Sequence, residues 1–417
     1  MFGVFLVWNL IVLLWSRHST DSSNNAQASD NLPTTEIPSL SSNSSEEQWP
    51  SAPNVTYSTS SSTFNATTNA TNATDASSNV IKYYFPKFVA RGAVSPVPTT
   101  ATCGIPRRAK SANEIVYLTI DDGPSVSGRL NLLSVLEQIN NRTDSSGKRV
   151  TPAYITFMES GYNFCGPQTA NIINLDCAKG AYEEALSGLV WTIKQGHVIA
   201  AHSDTHFYDP SAGFCNYLKM NAITKIEPKY AQCGKDPAAD MVRGALRLDS
   251  ALNNETYWET DAERAAWKKA ISTLWLYARL PCTNTWKLPG VDTVIGLRRE
   301  DQGAEKDARM KTGDLLLGGK LPCRNETKPW NVIGWDAEWR LDAKTTYDIQ
   351  KEKCNVVKDI TNQFDRKDKW GPKPNNVVLL THDHFFADMF KATIFRDVIV
   401  ELQQLGYTLG TIDQYPI

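Results

Sequence analysis

The 417-residue sequence has no basic run, and its formal net charge is only −2, so nothing in it answers a polyanion and no nucleic-acid partner is expected. None of the eight cysteines stands in a Cys-x-x-Cys pair, which removes support for zinc-ribbon or thioredoxin chemistry. The longest apolar run, Met1 to Trp15, falls short of the roughly 20 residues a membrane span needs. No carbohydrate-binding module is recognisable, and no obligate protein partner is evident. Histidine is scarce, with six in all, yet four of them (His202, His206, His382, His384) stand in two short clusters at the ends of apolar runs, which solvated scatter would not produce.

What is present divides the chain. Residues 1–18 have the apolar core of a signal peptide, with an uncleaved anchor as the alternative. Residues 19–80 turn to Ser, Thr, Asn and Ala with almost no large apolar side chains, a composition that cannot bury enough surface to fold. This stretch is expected to be a disordered, glycosylated stalk. Asn-x-Ser/Thr acceptors crowd it at Asn43, Asn54, Asn65, Asn69 and Asn72, with Asn141, Asn254 and Asn325 further on. A linker, 81–102, leads into a globular domain over 103–417 that holds all eight cysteines. An even count, a leader and many acceptors together predict disulfides in a secreted or extracellular protein, with the stalk able to associate it with a cell wall or surface. Nearest-neighbour pairing would join Cys165 to Cys177, Cys215 to Cys233 and Cys282 to Cys323, leaving Cys103 to close the domain against Cys354.

Within the domain, short apolar runs alternate with helical patterns: strand 115–120, helix 129–140, strand 154–157, helix 182–195, strand 198–201, helices 237–252 and 261–277, strand 332–335, helix 345–364, strand 377–380, helix 389–404 and strand 407–411. Repeated β then α argues for an α/β fold with a parallel barrel or sheet. In such folds catalytic groups collect at strand ends, where loops vary while strands hold position.

The first of these ends carries the sharpest signal. The run Ile115 to Ile120 stops on Asp121-Asp122 followed by Gly123-Pro124. Extended neighbours point to opposite sides, so the two carboxylates can serve different partners where the chain turns. The second end, Ala200-Ala201-His202-Ser203-Asp204-Thr205-His206, places two histidines four apart, on one face of a helical turn and within reach of one cation. A carboxylate from elsewhere would complete a His-His-Asp set with open positions for water and substrate. Either cluster alone has a plain alternative, an ordinary Asp-Gly-Pro turn or a polar histidine at a strand end; their occurrence together favours the metal.

The order Asp121-Asp122-Gly123-Pro124, His202-Ser203-x-x-His206, Arg279-Leu280-Pro281, Asp336-Ala337-Glu338-Trp339 and Leu379-Leu380-Thr381-His382-Asp383 resembles the NodB-type polysaccharide deacetylases, carbohydrate esterase family 4, which include chitin deacetylases. The resemblance spans about Cys103 to Ile417. It implies a distorted (β/α) barrel and a metal-dependent hydrolase that removes N-acetyl groups from an amino-sugar polysaccharide, chitin-like or an exopolysaccharide. It further implies Asp122, His202 and His206 as ligands of a divalent metal, zinc or else cobalt or another divalent ion. Asp121 would be the base, a metal-bound water the nucleophile, and His382 the acid that protonates the leaving amine. Arg279 would pair with Asp121, and Asp336 or Glu338 would support His382. Pro281, Cys282 and Trp339 would line the substrate site, with Cys282 standing where the family usually has an aromatic. The stretches 140–180 and 209–236, each with two cysteines, read as disulfide-stapled insertions. Two other readings are kept: a catalytically silent carbohydrate-binding protein of the same fold, and an amide hydrolase on a non-carbohydrate substrate.

Overall fold

In the computed structural model the strands, in chain order, are β1 (Ile115–Gly123), β2 (Thr156–Glu159), β3 (Val198–Ala201), β4 (Tyr208–Asp209), β5 (Phe214–Cys215), β6 (Tyr277–Ala278), β7 (Asn284–Trp286), β8 (Val294–Gly296), β9 (Asn331–Val332), β10 (Ala337–Glu338), β11 (Asn376–His382) and β12 (Thr408–Gly410). The helices are α1 (Val126–Asn140), α2 (Lys179–Lys194), α3 (Pro237–Leu252), α4 (Asp261–Leu274), α5 (Ala304–Gly318), α6 (Ile349–Asp365) and α7 (Met389–Leu405). The structure describes residues 88–417 except 91, 93–94, 108–113, 145, 166–178, 210–213, 220–227, 297–302, 325–326, 341–347 and 367–370. The leader, the stalk with its five acceptors, Asn325 and Cys177 lie outside the described residues.

Eight strands form one parallel sheet in the order β10-β11-β1-β2-β3-β6-β9, with β12 added to the start of β1. Its two edge strands, β9 and β10, are consecutive in the chain, and the sheet with its surrounding helices is a distorted (β/α) barrel. Parallel strands need crossovers on their faces, which is why nearly every strand is followed by a helix. Val116 to Asp121 are all buried, as a central strand covered on both faces requires.

The two-residue period of the strands sorts side chains into two cores. Val116, Leu118 and Ile120 of β1 pack outward with Leu132, Val135 and Leu136 of α1, and Val377 and Leu379 of β11 join the same cluster. Tyr117 and Val378 turn inward to Met158, Ala200, Trp286, Ile333 and Tyr415. By that alternation Asp121 and His382, each an even number of residues beyond an inward-facing partner, also face the barrel interior.

A buried ion cluster closes the carboxyl ends of β1, β2 and β11. Arg129, fully buried on α1, donates from Nη1 to Glu159 (2.8 Å) and from Nε to Asp383 (2.9 Å), while Ser125 donates to Asp383 (2.7 Å). Desolvating three charges is affordable only because the guanidinium satisfies both carboxylates at once. Gly123 is required beside it, since a Cβ there would lie 2.1 Å from Arg129 Nη2.

Several expectations are corrected. The helix predicted over 261–277 ends at Leu274, because Tyr277 and Ala278 enter the sheet as β6 between β3 and β9. Helix α5 and the antiparallel pairs β4/β5 and β7/β8 have no counterpart in the predicted elements. Cys103 does pair with Cys354, but Cys215 bonds Cys282 and Cys233 bonds Cys323, not their nearest neighbours. Sequence proximity loses here because the fold brings Cys215 and Cys233 against the loops that follow β6 and α5, where Cys282 and Cys323 stand. The Cys165–Cys177 pairing lies outside the described residues. No helix among the described residues is long and apolar enough to cross a membrane.

His197, 2% exposed, enters β3 with Nδ1 accepting from the Ile155 N–H (3.3 Å), and Nε2 has no hydrogen-bond partner among the described residues. Burial, aided by the charge of Arg129, pushes its pKa down to about 3. Below pH 6.5 the unfolded chain therefore binds a proton that the folded chain refuses. The stability this group lends is complete above pH 6.5 and falls by about 1.4 kcal/mol per pH unit below it. Urea unfolding of wild type and His197→Leu between pH 7.5 and 4.5 should show a smaller loss in the variant. Equal losses would refute it.

Candidate functional site

The turn after β1 does what two adjacent carboxylates need. Asp122 adopts a left-handed backbone (φ 66°), tolerable for Asp, and Asn163 Nδ2 donates to its carbonyl (2.7 Å). The chain thereby swings Asp122 away from the direction of Asp121. The loop after β3 is not the helical turn expected. Ser203 (φ 105°), His206 (φ 60°) and Phe207 (φ 54°) lie in left-handed or near-left-handed backbone, and the His206 N–H donates to Ser203 Oγ (2.9 Å). Strained backbone of this kind clusters where surrounding structure enforces it for a purpose.

The two turns bring Asp122, His202 and His206 together, one ligand atom from each lying within 4.8 Å of the others. Nε2 of His206 is 3.1 Å and Nε2 of His202 3.4 Å from Asp122 Oδ1. Nδ1 of His202 faces the Arg279 carbonyl at 2.9 Å, a contact that needs an N–H, so the Nε2 lone pair points at the carboxylate. Asp122 Oδ1 is buried and has no hydrogen-bond partner among the described residues. Three lone pairs that face one another inside a protein fit a cation. Burial would raise the Asp122 pKa, but His206, His202 and His382 hold it well below the usual carboxylate range, so this ligand is ionised. Burial opposes protonation of His202, yet Asp121 and Asp122 outweigh it and raise its pKa.

Beside this cluster stands a second carboxylate with a different tether. Arg279, fully buried just past β6, donates from Nη1 to Asp121 Oδ1 (2.6 Å) and to Thr119 Oγ1 (2.7 Å). Its Nε and Nη2 donate to the carbonyls of Ile333 (3.1 Å) and Gly334 (2.8 Å). Asp121 Oδ2 remains 3.7 Å from His202 Nε2. Directly across the parallel ladder, Asp121 is in register with His382, the last residue of β11. His384 follows on the next turn, its ring centroid 5.7 Å from that of His382.

Three expected residues stand elsewhere. The carboxylate of Asp336 accepts the N–H groups of Gly371 (2.8 Å) and Val378 (2.9 Å), and Glu338 pairs with Arg340. His382 Nδ1 is buried with no hydrogen-bond partner among the described residues. Register is the reason: Glu338 is level with Leu380, two residues short of His382 and so about 6–7 Å below it. Trp339 points outward, 4% exposed, stacked on Phe395 and donating to Glu352 Oε1 (3.0 Å). It is core. Aromatics that do stand near the site are Trp335, half-buried on the inner face with the Arg279 guanidinium 5.8 Å from its ring, and Tyr162, whose ring lies edge-on to His206 at 6.2 Å. The Pro281 carbonyl accepts from the Tyr217 hydroxyl (2.8 Å), and Cys282 (φ 57°) is bonded to Cys215, which fixes the loop beside the cluster.

No sequence motif marks the residues that fasten the His202–His206 loop. Asp240 of α3, fully buried, accepts from the N–H groups of Asp204 (3.2 Å) and Thr205 (3.0 Å), and from Thr205 Oγ1 (3.1 Å). Arg243 donates to Asp240 (2.6 Å) and Arg247 to Asp204 (2.8 Å). Helix and loop touch so closely that a Cβ on Gly244 would lie 2.2 Å from the Ser203 carbonyl oxygen. Only the fold brings α3 there.

No protein-family model matches the chain, and no curated protein does. Among solved structures it is similar to the catalytic domain of a peptidoglycan N-acetylglucosamine deacetylase from Eubacterium rectale ATCC 33656, at 16% identity and a TM-score of 0.40, over 76% of this chain and 96% of that one. It is also similar to a CE4 esterase of Streptococcus mutans (14% identity, TM-score 0.35, 72% of this chain and 86% of that one). A third likeness is to a CE4 family pseudoenzyme from Bacillus anthracis (12% identity, TM-score 0.36, 72% of this chain and 65% of that one). These are likenesses of fold, and the activities in those descriptions belong to those proteins.

Loss of a partner that orients a ligand loop typically lowers metal affinity about 10- to 100-fold. Asp240→Asn should weaken zinc binding by that range in chelator competition, with Asp240→Glu recovering part of it. Unchanged affinity would count against the fastening role.

Proposed function

We propose that the protein is a metal-dependent N-deacetylase acting on an N-acetylated polysaccharide or oligosaccharide, and that Asp121, Asp122, His202, His206, Arg279 and His382 carry the reaction. The observation that carries this reading is the register of Asp121 with His382 at one barrel mouth, beside the Asp122–His202–His206 cluster. A base and an acid on adjacent strands flank one point in space, which a pure binding protein has no need of.

A divalent cation, with zinc first among the alternatives, would be held by Asp122, His202 and His206 and would act there as a Lewis acid, lowering the pKa of water and polarising the acyl carbonyl. The chain's own residues supply the proton traffic. Asp121 accepts a proton from the attacking water as its oxygen bonds to the acetyl carbon; it is close to the cluster without belonging to it, and Arg279 aims its Oδ1 so that Oδ2 is the oxygen left to take the proton. As the C–N bond breaks, His382 gives its proton to the departing nitrogen, because an amide nitrogen leaves as an amine and not as an anion. Acetate and a free amine result. The backbone N–H of Cys282 is the donor proposed for the developing oxyanion; such a donor needs no particular side chain, so the disulfide there changes the shape of the site and not this role. His382 would work without the support expected from Asp336 or Glu338.

The chain is proposed to act outside the cell, at a wall or surface reached by its Ser/Thr-rich segment, with the catalytic domain over 103–417. The binding-protein reading stays as the outcome of a failed assay.

Acetate release from chitin oligomers and from an N-acetylated exopolysaccharide by the full, zinc-loaded chain should be abolished by a chelator and restored by zinc. Asp121→Asn and His382→Gln should each lower it by about 10²–10⁴-fold. Stoichiometric zinc binding without acetate from any sugar would sink the deacetylase reading, and sugar binding in that case would favour the silent binder.

A further inference from the structure

His206 belongs to two groups of ligand atoms at once. Nε2 faces Asp122 Oδ1 at 3.1 Å, whereas Nδ1, on the opposite side of the ring, faces Cys215 Sγ at 3.4 Å. Cys282 completes the second group, and all three of its ligand atoms lie within 4.8 Å of one another. In the structure the two sulfurs are joined as a disulfide and ligate nothing. Reduction would change that. Zinc-type bonds of about 2.0 Å to nitrogen and 2.3 Å to sulfur at a tetrahedral angle put the two donors about 3.5 Å apart. The separation of His206 Nδ1 from Cys215 Sγ already meets that distance, and Cys282 Sγ, within 4.8 Å of both, has to swing away from Cys215 Sγ.

We propose that Cys215, Cys282 and Nδ1 of His206 form a second, reductant-dependent site for a thiophilic divalent cation, sharing His206 with the Asp122–His202–His206 cluster. A dithiol reductant delivers two electrons and two protons to the disulfide; the S–S bond breaks, two cysteine thiols form, and the reductant closes to its own cyclic disulfide. The cation then displaces the two thiol protons. Where the neighbouring site is filled through Nε2, the Nδ1 proton leaves as well and His206 bridges the two cations as an imidazolate; where that site is empty, the neutral ring supplies the Nδ1 lone pair. Two thiolates and one imidazole make a soft set, in contrast to the carboxylate and two imidazoles next to it, so the two sites differ in the cation they prefer. Cys215 is 5% exposed and paired with Tyr208 across β4 and β5, directly beyond the left-handed backbone of His206 and Phe207, so its backbone is held beside the ring independently of the disulfide. Neither of the other described disulfides has this property, since no other such ligand group occurs among the described residues.

Cobalt(II) is the probe, because thiolate ligation adds a sulfur-to-cobalt charge-transfer band that nitrogen and oxygen ligands do not. The full chain is treated with dithiothreitol, desalted under argon and titrated with cobalt, with near-ultraviolet circular dichroism as the check that it stays folded. Oxidised wild type should bind one cobalt without the band, and reduced wild type two with it. Reduced Cys215→Ser/Cys282→Ser should bind one without the band, the other disulfides being reduced alike. Reduced Asp122→Asn should keep the band while losing the first cobalt, which separates failure of this site from failure of the neighbouring one. No band in reduced wild type, a band kept in the double serine variant, or loss of the folded signal on reduction would each overturn the proposal.

Discussion

One buried guanidinium holds the mouth of this barrel together. Arg279 reaches from the end of β6 to Asp121 and Thr119 on β1 and to the Ile333 and Gly334 carbonyls after β9, while its own carbonyl sets the His202 tautomer. All of these groups are buried, so each would carry a heavy desolvation penalty alone; together they satisfy one another. The charge of the guanidinium in the interior is matched by Asp121, the carboxylate proposed as base. A lysine could not replace it, because the planar fork addresses four acceptors in different directions.

From that anchor the site follows by geometry. Parallel register sets Asp121 level with His382, and the left-handed turn at Asp122 lets the next residue serve a different partner. The histidine loop is fastened on its far side by Asp240, Arg243 and Arg247, and on its near side by the Cys215–Cys282 bond. Rigid support on both sides is what a cation site without a regular helix or strand of its own requires.

The departures have physical causes. Trp339 was expected at the substrate site because it follows the acid motif, but it shares the helix-facing side of Ala337 on β10, whereas Trp335, which precedes that strand, packs with the inner cluster. Asp336 was expected to reach His382, but backbone N–H groups at Gly371 and Val378 claim it two or more rungs lower. Disulfide partners follow the folded loops and not the spacing along the chain.

Legible in the sequence alone were the alternation of strands and helices, a Ser/Thr-rich composition ahead of a cysteine-bearing one, and the Asp121-Asp122 and His202/His206 clusters at strand ends; Arg279 and His382 joined them only through the family resemblance. The former are local properties: periodicity, composition and residue type at strand ends. The tertiary structure decided which residues meet. Register across β1 and β11, the approach of α3 to the histidine loop, the direction each side chain faces and the cysteine pairing all depend on contacts between segments tens to hundreds of residues apart. No local pattern encodes such a contact, because it is fixed only when the sheet closes and its cores pack.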